Sequence, residues 1–425
     1  MILENKKIFK NISWLFFDNI VKFGVSFFIG VWVVRYLGPT GYGKFVYALS
    51  FAGFFEVVAS LGLKAIVVRE LIKKNANQSE ILFTAFIFQL VSSCAIILFC
   101  NAINLFANSS DGELQLIIFL FSIAFLFKTF NVITYLYESQ LNSKYIVITS
   151  NIVIVISSLI KVTLIFLHFS VVWFAIVTLF EAMLSAAIYL FIYWRHYSKP
   201  QFLFNFPLGK QMLIDSTPLI LTGIIIMGYM RVDQLIIGNL LGIEKAGIYA
   251  AAIKISELWY FIPMIIQPTL FPFIMKAKEE NDDVYYKTLY KSYSVFTIIA
   301  YTVCISVTLL SPWIIGVCFG KAYSEASGIL SITVWSGLFV SLGLARNSFT
   351  VAENENKSRA ILAFSSIAIN LGLNFILIPI YQLKGAAVAN VITYLCEGYL
   401  LGFLFKRFWR NNVMITKSLI KPNPF

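Results

Sequence analysis

Long apolar runs separated by short polar interruptions make up almost the whole chain. A helix of about 20 apolar residues crosses a bilayer, and helices satisfy their own backbone hydrogen bonds in lipid. The runs are too long and too evenly apolar for the alternating strands of a membrane barrel, which hold about ten residues. The pattern therefore predicts an all-α polytopic membrane protein with about twelve transmembrane helices. The predicted spans are 11–34, 42–66, 81–103, 114–137, 145–167, 171–194, 212–241, 246–274, 290–318, 327–350, 359–381 and 385–406.

The composition excludes a soluble globular protein. Of the 425 residues, 59% are hydrophobic and 13% are charged, whereas ordinary soluble domains have roughly 45–50% and about 25%. The five cysteines all lie inside apolar runs, where cysteine packs as a small hydrophobic residue. The sequence therefore predicts no disulfide framework, no metal site and no bound cofactor.

The formal net charge of +12 indicates how the chain is oriented in the membrane. Lysine and arginine concentrate in the short cytoplasmic loops of membrane proteins. With a cytoplasmic N-terminus, the inside segments hold 22 bases and 10 acids, the outside loops hold 5 and 4, and the spans hold 6 and 7. This asymmetry predicts an even number of crossings with both termini cytoplasmic. It also predicts contact with anionic membrane lipids, and it gives no reason to expect a nucleic-acid partner.

Two long polar interruptions, 195–211 and the charged loop 275–289, fall on the predicted cytoplasmic side. The first joins two halves with six predicted helices each. The predicted domains are an N-terminal six-helix bundle over 1–194, a cytoplasmic linker over 195–211, a C-terminal six-helix bundle over 212–406 and a basic cytoplasmic tail over 407–425.

The two halves share a short repeat. Because each half holds an even number of helices, the repeat is parallel, and its pseudo-axis is expected to run along the membrane normal, as in one class of transporters. A substrate path is then expected between the halves. At a constant offset of 204, the matching positions are Leu37, Gly38, Gly43, Phe45 and Ala48 in the first half and Leu241, Gly242, Gly247, Tyr249 and Ala252 in the second.

Three motifs in order resemble the polysaccharide transport family, the Wzx-type O-antigen flippases of the multidrug/oligosaccharidyl-lipid/polysaccharide exporter superfamily. The first is Arg35-Tyr36-Leu37-Gly38-Pro39-Thr40-Gly41-Tyr42-Gly43 with Leu61-Gly62-Leu63 and Arg69-Glu70; the second is Arg231-Val232-Asp233-Gln234-Leu235 with Leu241-Gly242, Gly247-Ile248-Tyr249 and Lys254-Ile255; the third is Asn374, Ile378-Pro379 and Gly385-Ala386-Ala387. With the helix count and length, the resemblance covers essentially the whole chain.

The resemblance implies a V-shaped pair of six-helix bundles in the bacterial inner membrane. Proteins of this kind move an undecaprenyl-diphosphate-linked oligosaccharide, such as an O-antigen repeat unit, from the cytoplasmic to the periplasmic leaflet by alternating access. The resemblance further implies a polar, often cationic cavity between the bundles and coupling to a cation gradient of protons or sodium. A polysaccharide polymerase and a chain-length regulator are the expected protein partners.

Ionisable residues inside the spans are the candidates for the mechanism, because a charge at bilayer depth costs at least about 2.5–3.5 kcal/mol. Such residues are expected to face the protein interior or a wet cavity. The candidates for contacts with the diphosphate or its charge are Lys22, Lys128, Arg231 and Lys254, and the candidates for cation coupling are Asp18, Glu56, Asp233 and Glu257.

Two of these acid–base combinations have local alternatives. Asp18 and Lys22 are four residues apart, and Lys254 and Glu257 are three apart. At these spacings both side chains lie on one face of a helix and can pair. Each combination is therefore either a structural ion pair that tolerates burial or a site where the acid takes up a cation and the base is released to meet phosphate.

The other four candidates lack such a neighbour. Arg231 and Asp233 are two residues apart and point to different faces of one helix, so Arg231 either contacts substrate or extends toward the headgroups. Lys128 has no acid one turn away and is either a phosphate ligand or the partner of an acid on another helix. Glu56 is either protonated in the core, as burial favours, or part of an ion site.

Two transport functions remain open at this point. Seven acids and six bases leave the spans nearly neutral, which fits a cation-coupled exporter of drugs or small metabolites as well as a flippase. A membrane enzyme is not expected, because the predicted outer loops are only a few residues long and their acids are scattered. The two histidines, His168 and His196, are predicted on opposite sides of the bilayer.

Overall fold

Helices are the only regular secondary structure in the part of the chain that the structure describes. The computed structural model describes residues 2–73, 77–108, 111–196 and 202–424, with their side chains except those of residues 2–23, 26, 229, 356 and 357. The chain divides into two compact units, Met1–Gly228 (unit 1) and Tyr229–Phe425 (unit 2). The all-helical prediction is confirmed for the described residues.

Unit 1 contains a run of helices that ends within α8. Its helices in the described ranges are α1 (Ile2–Ala59), α2 (Lys64–Ile72), α3 (Gln78–Ala107), α4 (Gly112–Lys128), α5 (Val132–Ser139), α6 (Ser143–Phe166), α7 (Val171–His196) and the first part of α8 (Phe206–Leu240). α1 packs against α6, and α4 packs against α7. One apolar cluster joins Leu63, Leu82, Leu136 and Met212, so the beginning of α8 belongs to the core of unit 1.

Unit 2 begins within α8 and contains the remaining helices. They are α9 (Ile243–Ser256), α10 (Phe261–Glu280), α11 (Asp282–Cys318), α12 (Ala326–Thr333), α13 (Ser336–Ala352), α14 (Asn356–Gly398) and α15 (Trp409–Ile420). Its core joins Tyr293, Phe296, Leu342, Phe349 and Ile415. Because Ile415 is fully buried, α15, in the predicted tail, packs on the body of the unit.

One glycine interrupts the long helix α1. Gly38 has φ 67° and ψ 174°, outside the helical region, and glycine adopts a positive φ at little cost. Pro39 follows, and proline suits the first position of a new helical segment because it has no amide hydrogen. The break lies between the predicted spans 11–34 and 42–66. Only one residue, Gly38, departs from helical geometry there. Gly242, its partner in the repeat, has φ 97° at the start of α9, so both glycines serve as helix boundaries.

The long helix α14 is interrupted in a similar way. Gln382 has φ 53° and ψ −133°, and it lies between the predicted spans 359–381 and 385–406. A Cβ atom at Gly385 would lie 2.1 Å from the carbonyl oxygen of Leu377. The backbone on the two sides of the break therefore approaches closely enough to require glycine at position 385.

Ten helical segments in the described ranges are long and apolar enough to cross a membrane. Two of them, Phe27–Ile72 and Ser358–Leu404, have 46 and 47 residues, and each contains one of the breaks above. At a rise of about 1.5 Å per residue, an unbroken helix with this many residues would be about 70 Å long, more than twice the roughly 30 Å of a hydrocarbon core. The protein is a multi-pass membrane protein.

The prediction of a charged loop over 275–289 is wrong. α10 continues to Glu280 and α11 begins at Asp282, so only Asn281 separates them. The Asn281 side chain accepts a 2.9 Å hydrogen bond from the amide of Val284, and acidic residues in the first turn stabilise a helix N-terminus. The charged residues therefore extend two helices instead of forming a loop.

Candidate functional site

A buried carboxylate on α8 is the centre of the polar interior of unit 2. Asp233 keeps only 4% of its surface exposed. The hydroxyl of Tyr249 on α9 donates a 2.7 Å hydrogen bond to its Oδ2 atom. The other oxygen, Oδ1, is buried without a hydrogen-bond partner in the described part of the chain. One oxygen of this carboxylate is therefore held by Tyr249, and the other has no donor within hydrogen-bond distance in the described ranges.

Two further charged residues lie near Asp233. Arg231 interacts electrostatically with both Asp233 and Glu257, and Asp233 and Glu257 interact with each other. Glu257 is positioned by the interruption between α9 and α10, where the helix tightens over Leu258–Tyr260. Lys254 lies half-buried on α9, one turn before Glu257. Three of the residues singled out from the sequence, Arg231, Asp233 and Glu257, are thus brought into one electrostatic environment.

A ladder of neutral polar side chains on α14 continues from Asp233. Asn390 lies beside the Asp233 carboxylate, and its Oδ1 accepts a 2.7 Å hydrogen bond from Ser336. One turn further, the hydroxyl of Thr393 accepts a 3.3 Å hydrogen bond from Asn370. Asn370 in turn accepts a 3.1 Å hydrogen bond from Asn374. The ladder depends on the break at Gln382, because the break lets the two halves of α14 pack against each other and brings Asn370 to Thr393.

The ladder offers oxygen atoms in a buried setting. The Oδ1 atoms of Asp233 and Asn374 are both buried without a hydrogen-bond partner in the described ranges. Carboxylate and amide oxygens are the ligands that hard cations prefer, and ionisable residues at bilayer depth mark ion and proton pathways. The chemistry of this group of side chains suits uptake and release of a monovalent cation or a proton, and it contains no nucleophile poised for covalent catalysis.

A second polar site lies in unit 1. Nζ of Lys128, at the end of α4, lies 2.6 Å from Oε1 of Glu56 on α1. Both side chains are half-buried, with 39% and 38% exposed. They line a cavity of about 60 Å³ together with Gln89, Asn131 and Tyr135. Of the two alternatives for Lys128, the observed contact is the one with an acid on another helix. Glu56 accordingly has a cation as its partner.

The remaining candidates cannot be placed. Asp18 and Lys22 lie outside the residues whose side chains the structure describes. The ladder residues Asn370, Asn390 and Thr393 were not singled out from the sequence, although each is a polar residue inside an apolar run. That signal is weak, because neutral polar residues also occur elsewhere in the spans. Only the fold identifies those that meet an acid.

Comparison with known proteins identifies the family. Residues 32–328 match the family of polysaccharide biosynthesis proteins. A Shigella flexneri protein named O-antigen transporter is 22% identical over 419 residues, which cover 94% of this chain and 98% of the relative. The capsular polysaccharide biosynthesis protein CapF of Staphylococcus aureus is 24% identical over 396 residues, which cover 90% of this chain and 96% of the relative.

Two solved structures share the fold. The lipid II flippase MurJ in an inward closed conformation has a TM-score of 0.67 at 17% identity, with 97% of this chain and 91% of that chain covered. An inward-facing multidrug resistance transporter of the MATE family, from the MOP superfamily, has a TM-score of 0.66 at 15% identity, with 96% of both chains covered. The family match spans more than half of the sequence and confirms the resemblance drawn from the three motifs: the chain belongs to the family of polysaccharide biosynthesis proteins.

Proposed function

We propose that this protein is a flippase that moves an undecaprenyl-diphosphate-linked oligosaccharide, an O-antigen or other surface polysaccharide repeat unit, across the bacterial inner membrane. Membership of the family over residues 32–328 carries the proposal. Relatives that align over nearly the whole chain are named for O-antigen transport and capsular polysaccharide biosynthesis, and the fold is shared with a lipid II flippase. The protein is a transporter and not an enzyme.

We further propose twelve crossings with both termini in the cytoplasm. Dividing the two longest segments at Gly38 and Gln382 would turn the ten candidate spans into twelve. The excess of bases in alternate loops supports a cytoplasmic N-terminus. In this arrangement the basic residues of the loops face the anionic headgroups of the inner leaflet.

Transport would be coupled to a cation through Asp233. A buried carboxylate with one oxygen unpartnered is costly in an apolar environment, and binding a proton or a sodium ion removes that cost. Glu257 and Arg231 set the local charge that the cation meets. Alternate occupancy of this site is the proposed switch between two states of an alternating-access cycle. Asp18 and Glu56 remain candidates for coupling in unit 1.

Lys22, Lys128, Arg231 and Lys254 are the proposed contacts of the diphosphate. Lys128 is the best placed of the described lysines, because Gln89, Asn131 and Tyr135 beside it supply hydrogen-bonding groups suited to a polar ligand. Release of Lys128 from Glu56 would free its charge for phosphate. A polysaccharide polymerase and a chain-length regulator are the proposed downstream partners.

A cation-coupled exporter of drugs or small metabolites is the second candidate. The specific observations in its favour are the nearly neutral set of embedded charges and the shared fold with a multidrug transporter. Neither observation supports it as strongly as the family match supports the flippase, because a shared fold alone does not establish a substrate.

Deletion and complementation in the native host separate the two candidates. A flippase deletion should abolish surface polysaccharide and cause lipid-linked oligosaccharide to accumulate in the cytoplasmic leaflet, and the wild-type gene should reverse both effects. Normal surface polysaccharide together with increased drug susceptibility would instead support the exporter.

A further inference from the structure

One arginine in unit 2 is buried without a salt bridge to any described residue. Arg346 on α13 keeps 5% of its surface exposed. Its Nη1 atom donates to the backbone oxygen of Glu397 at 3.2 Å, and its Nη2 atom donates to Oδ1 of Asn412 at 2.8 Å. The Nε–H group has no hydrogen-bond partner among the described residues. The guanidinium group is therefore hydrogen-bonded to neutral oxygens, and one of its nitrogen atoms, Nε, has no partner among the described residues.

Two lysines inside the predicted spans of unit 1 have carboxylate partners instead of neutral oxygens. Lys128 contacts the carboxylate of Glu56 at 2.6 Å, and Lys161 contacts that of Glu181 at 2.7 Å. A buried charge without a counter-ion is costly in an apolar environment. The neutral oxygens around Arg346 remove only part of that cost. They orient the guanidinium group, but they do not neutralise its charge. An anion beside the free Nε–H would be stabilised by both charge and hydrogen bonding.

A cavity of about 200 Å³ lies beside Arg346. Its charged lining residues are Arg346, Arg359 and Glu397, so two bases face one acid. Arg359 is exposed at the start of α14, and its side chain is oriented by a hydrogen bond to Oδ1 of Asn347. Neither arginine forms a salt bridge within the described part of the chain. The cavity therefore combines a buried guanidinium with a second, accessible one.

Besides these charged residues, the cavity is lined mainly by apolar side chains, with two polar ones, Thr350 and Tyr394. Phe339, Leu362 and Phe408 line it, and the Phe408 ring lies 5.7 Å from the guanidinium carbon of Arg346. Its volume is below the roughly 300–1,000 Å³ of pockets that enclose drug-sized ligands, so an oligosaccharide does not fit. A single phosphate group with its adjoining glycerol carbons matches both the volume and the mixed walls.

We infer that the Arg346 cavity is a binding site for the phosphate group of an anionic phospholipid. Guanidinium groups bind phosphate through parallel hydrogen bonds, and the apolar walls suit the part of the lipid beyond the phosphate. With the topology proposed above, Arg359 lies on the cytoplasmic side, where anionic lipids are concentrated. The inference does not depend on the identity of the transported substrate, and its failure would leave the flippase proposal unchanged.

A purely structural role for Arg346 predicts a different result. α14 ends at Gly398, and the bond from Arg346 to the Glu397 carbonyl caps that end. If capping were its only role, removing Arg346 would lower the melting temperature equally with and without lipid. Arg359 has no part in the cap, so lipid binding would be unaffected by its loss.

The test measures lipid affinity on the purified full-length protein in detergent. Dioleoylphosphatidylglycerol, dioleoylphosphatidylcholine and inorganic phosphate are the three probes, and binding is followed by native mass spectrometry and by the rise in melting temperature. The variants are Arg346→Gln, Arg359→Gln and, as a control, Arg195→Gln, which removes an exposed arginine at the end of α7.

The site predicts that phosphatidylglycerol binds the wild type and Arg195→Gln equally, and more tightly than phosphatidylcholine does. Its affinity should fall about tenfold or more in Arg346→Gln and in Arg359→Gln, because hydrogen bonds to charged groups contribute about 1.5–3 kcal/mol. If Arg346→Gln does not fold, Arg359→Gln decides the question, since that side chain is exposed. Equal phosphatidylglycerol affinity in all folded variants would overturn the site. Protection by inorganic phosphate alone, with none from the lipid, would overturn the lipid assignment.

Discussion

The hydroxyl of Tyr249 donates a 2.7 Å hydrogen bond to Oδ2 of Asp233, and Oδ1 of the same carboxylate is buried without a partner among the described residues. The bond orients the carboxylate and leaves Oδ1 without a donor among the described residues. In a membrane interior such a group is a site for a cation. This relationship supports the proposal that Asp233 couples transport to an ion gradient.

Replacing the acid should stop transport without unfolding the protein. Asp233→Asn preserves the shape of the side chain but removes the charge, so cation-dependent transport should fall about tenfold or more, as expected when a contact worth about 1.5–3 kcal/mol is lost. Tyr249→Phe removes a donor to the carboxylate but leaves the acid in place, so it should reduce transport less. Surface polysaccharide and protein abundance are the two measurements.

Glu325→Gln is the control for that pair of variants, because Glu325 is a surface acid bonded to Lys245, and it should transport normally. Wild-type transport by Asp233→Asn, at unchanged ion dependence, would exclude Asp233 from coupling.

Neutralising Lys128 should abolish surface polysaccharide while leaving abundance unchanged. A matched control exists in the same unit: Lys161 forms a 2.7 Å pair with Glu181, and Lys161→Gln should have little effect. The double variant Glu56→Lys with Lys128→Glu preserves an ion pair but moves the cation, so it should fold and still fail to transport. Restored transport in this exchanged pair would show that the contact is only structural.

The two glycines at helix boundaries should be sensitive to alanine. Gly38 and Gly242 have φ of 67° and 97°, and an added Cβ would meet nothing within 4 Å at either site, so the cost is backbone strain of about 1–3 kcal/mol. Gly316→Ala, also without neighbours within 4 Å but with ordinary φ, should be neutral or stabilise by about 0.5–1 kcal/mol. Melting temperatures of the three variants in detergent test this ordering. Equal effects at all three positions would contradict it.

A carboxylate between α13 and α14 should make stability depend on acid pH. Hydrogen bonds from Arg407 and Ser358 hold the pKa of Glu355 below its ordinary value of 4.5. A lowered native pKa means that ionised Glu355 stabilises the folded state above the unfolded-state pKa, and that this stabilisation is lost as pH falls through the native pKa.

The wild type should therefore melt above Glu355→Gln at neutral pH, and the difference should shrink in the acid range below about pH 4.5. A melting series of both proteins from about pH 3 to pH 7 measures it. A difference that does not change with pH would show that the ionised form of Glu355 contributes nothing.

Apolar run lengths predicted most of the helical architecture, because the bilayer imposes a length on every crossing. The breaks at Gly38 and Gln382 fall between predicted spans for the same reason. Asn281 was missed because its capping hydrogen bond to Val284 is a local polar contact, which run lengths do not record. Charged residues on both sides of it were therefore assigned to a loop.

The candidate site was predicted only in part. Asp233, Arg231 and Glu257 stood out because charges are rare in apolar runs. The Glu56–Lys128 contact joins residues 72 positions apart, and helix periodicity carries no information about such a pairing. Asn390 and Thr393 acquire meaning only because α14 folds back at Gln382.

The proposed function requires that this protein moves a lipid-linked oligosaccharide across a membrane. Its most direct test is to reconstitute the purified protein in liposomes that carry a fluorescent undecaprenyl-diphosphate-linked oligosaccharide, and to measure how much becomes accessible to an impermeant quencher or glycosidase after a cation gradient is imposed. The wild type should give rapid, gradient-dependent exposure, and Asp233→Asn should give exposure at the level of empty liposomes. Exposure at the level of empty liposomes with folded wild-type protein would overturn the proposed function.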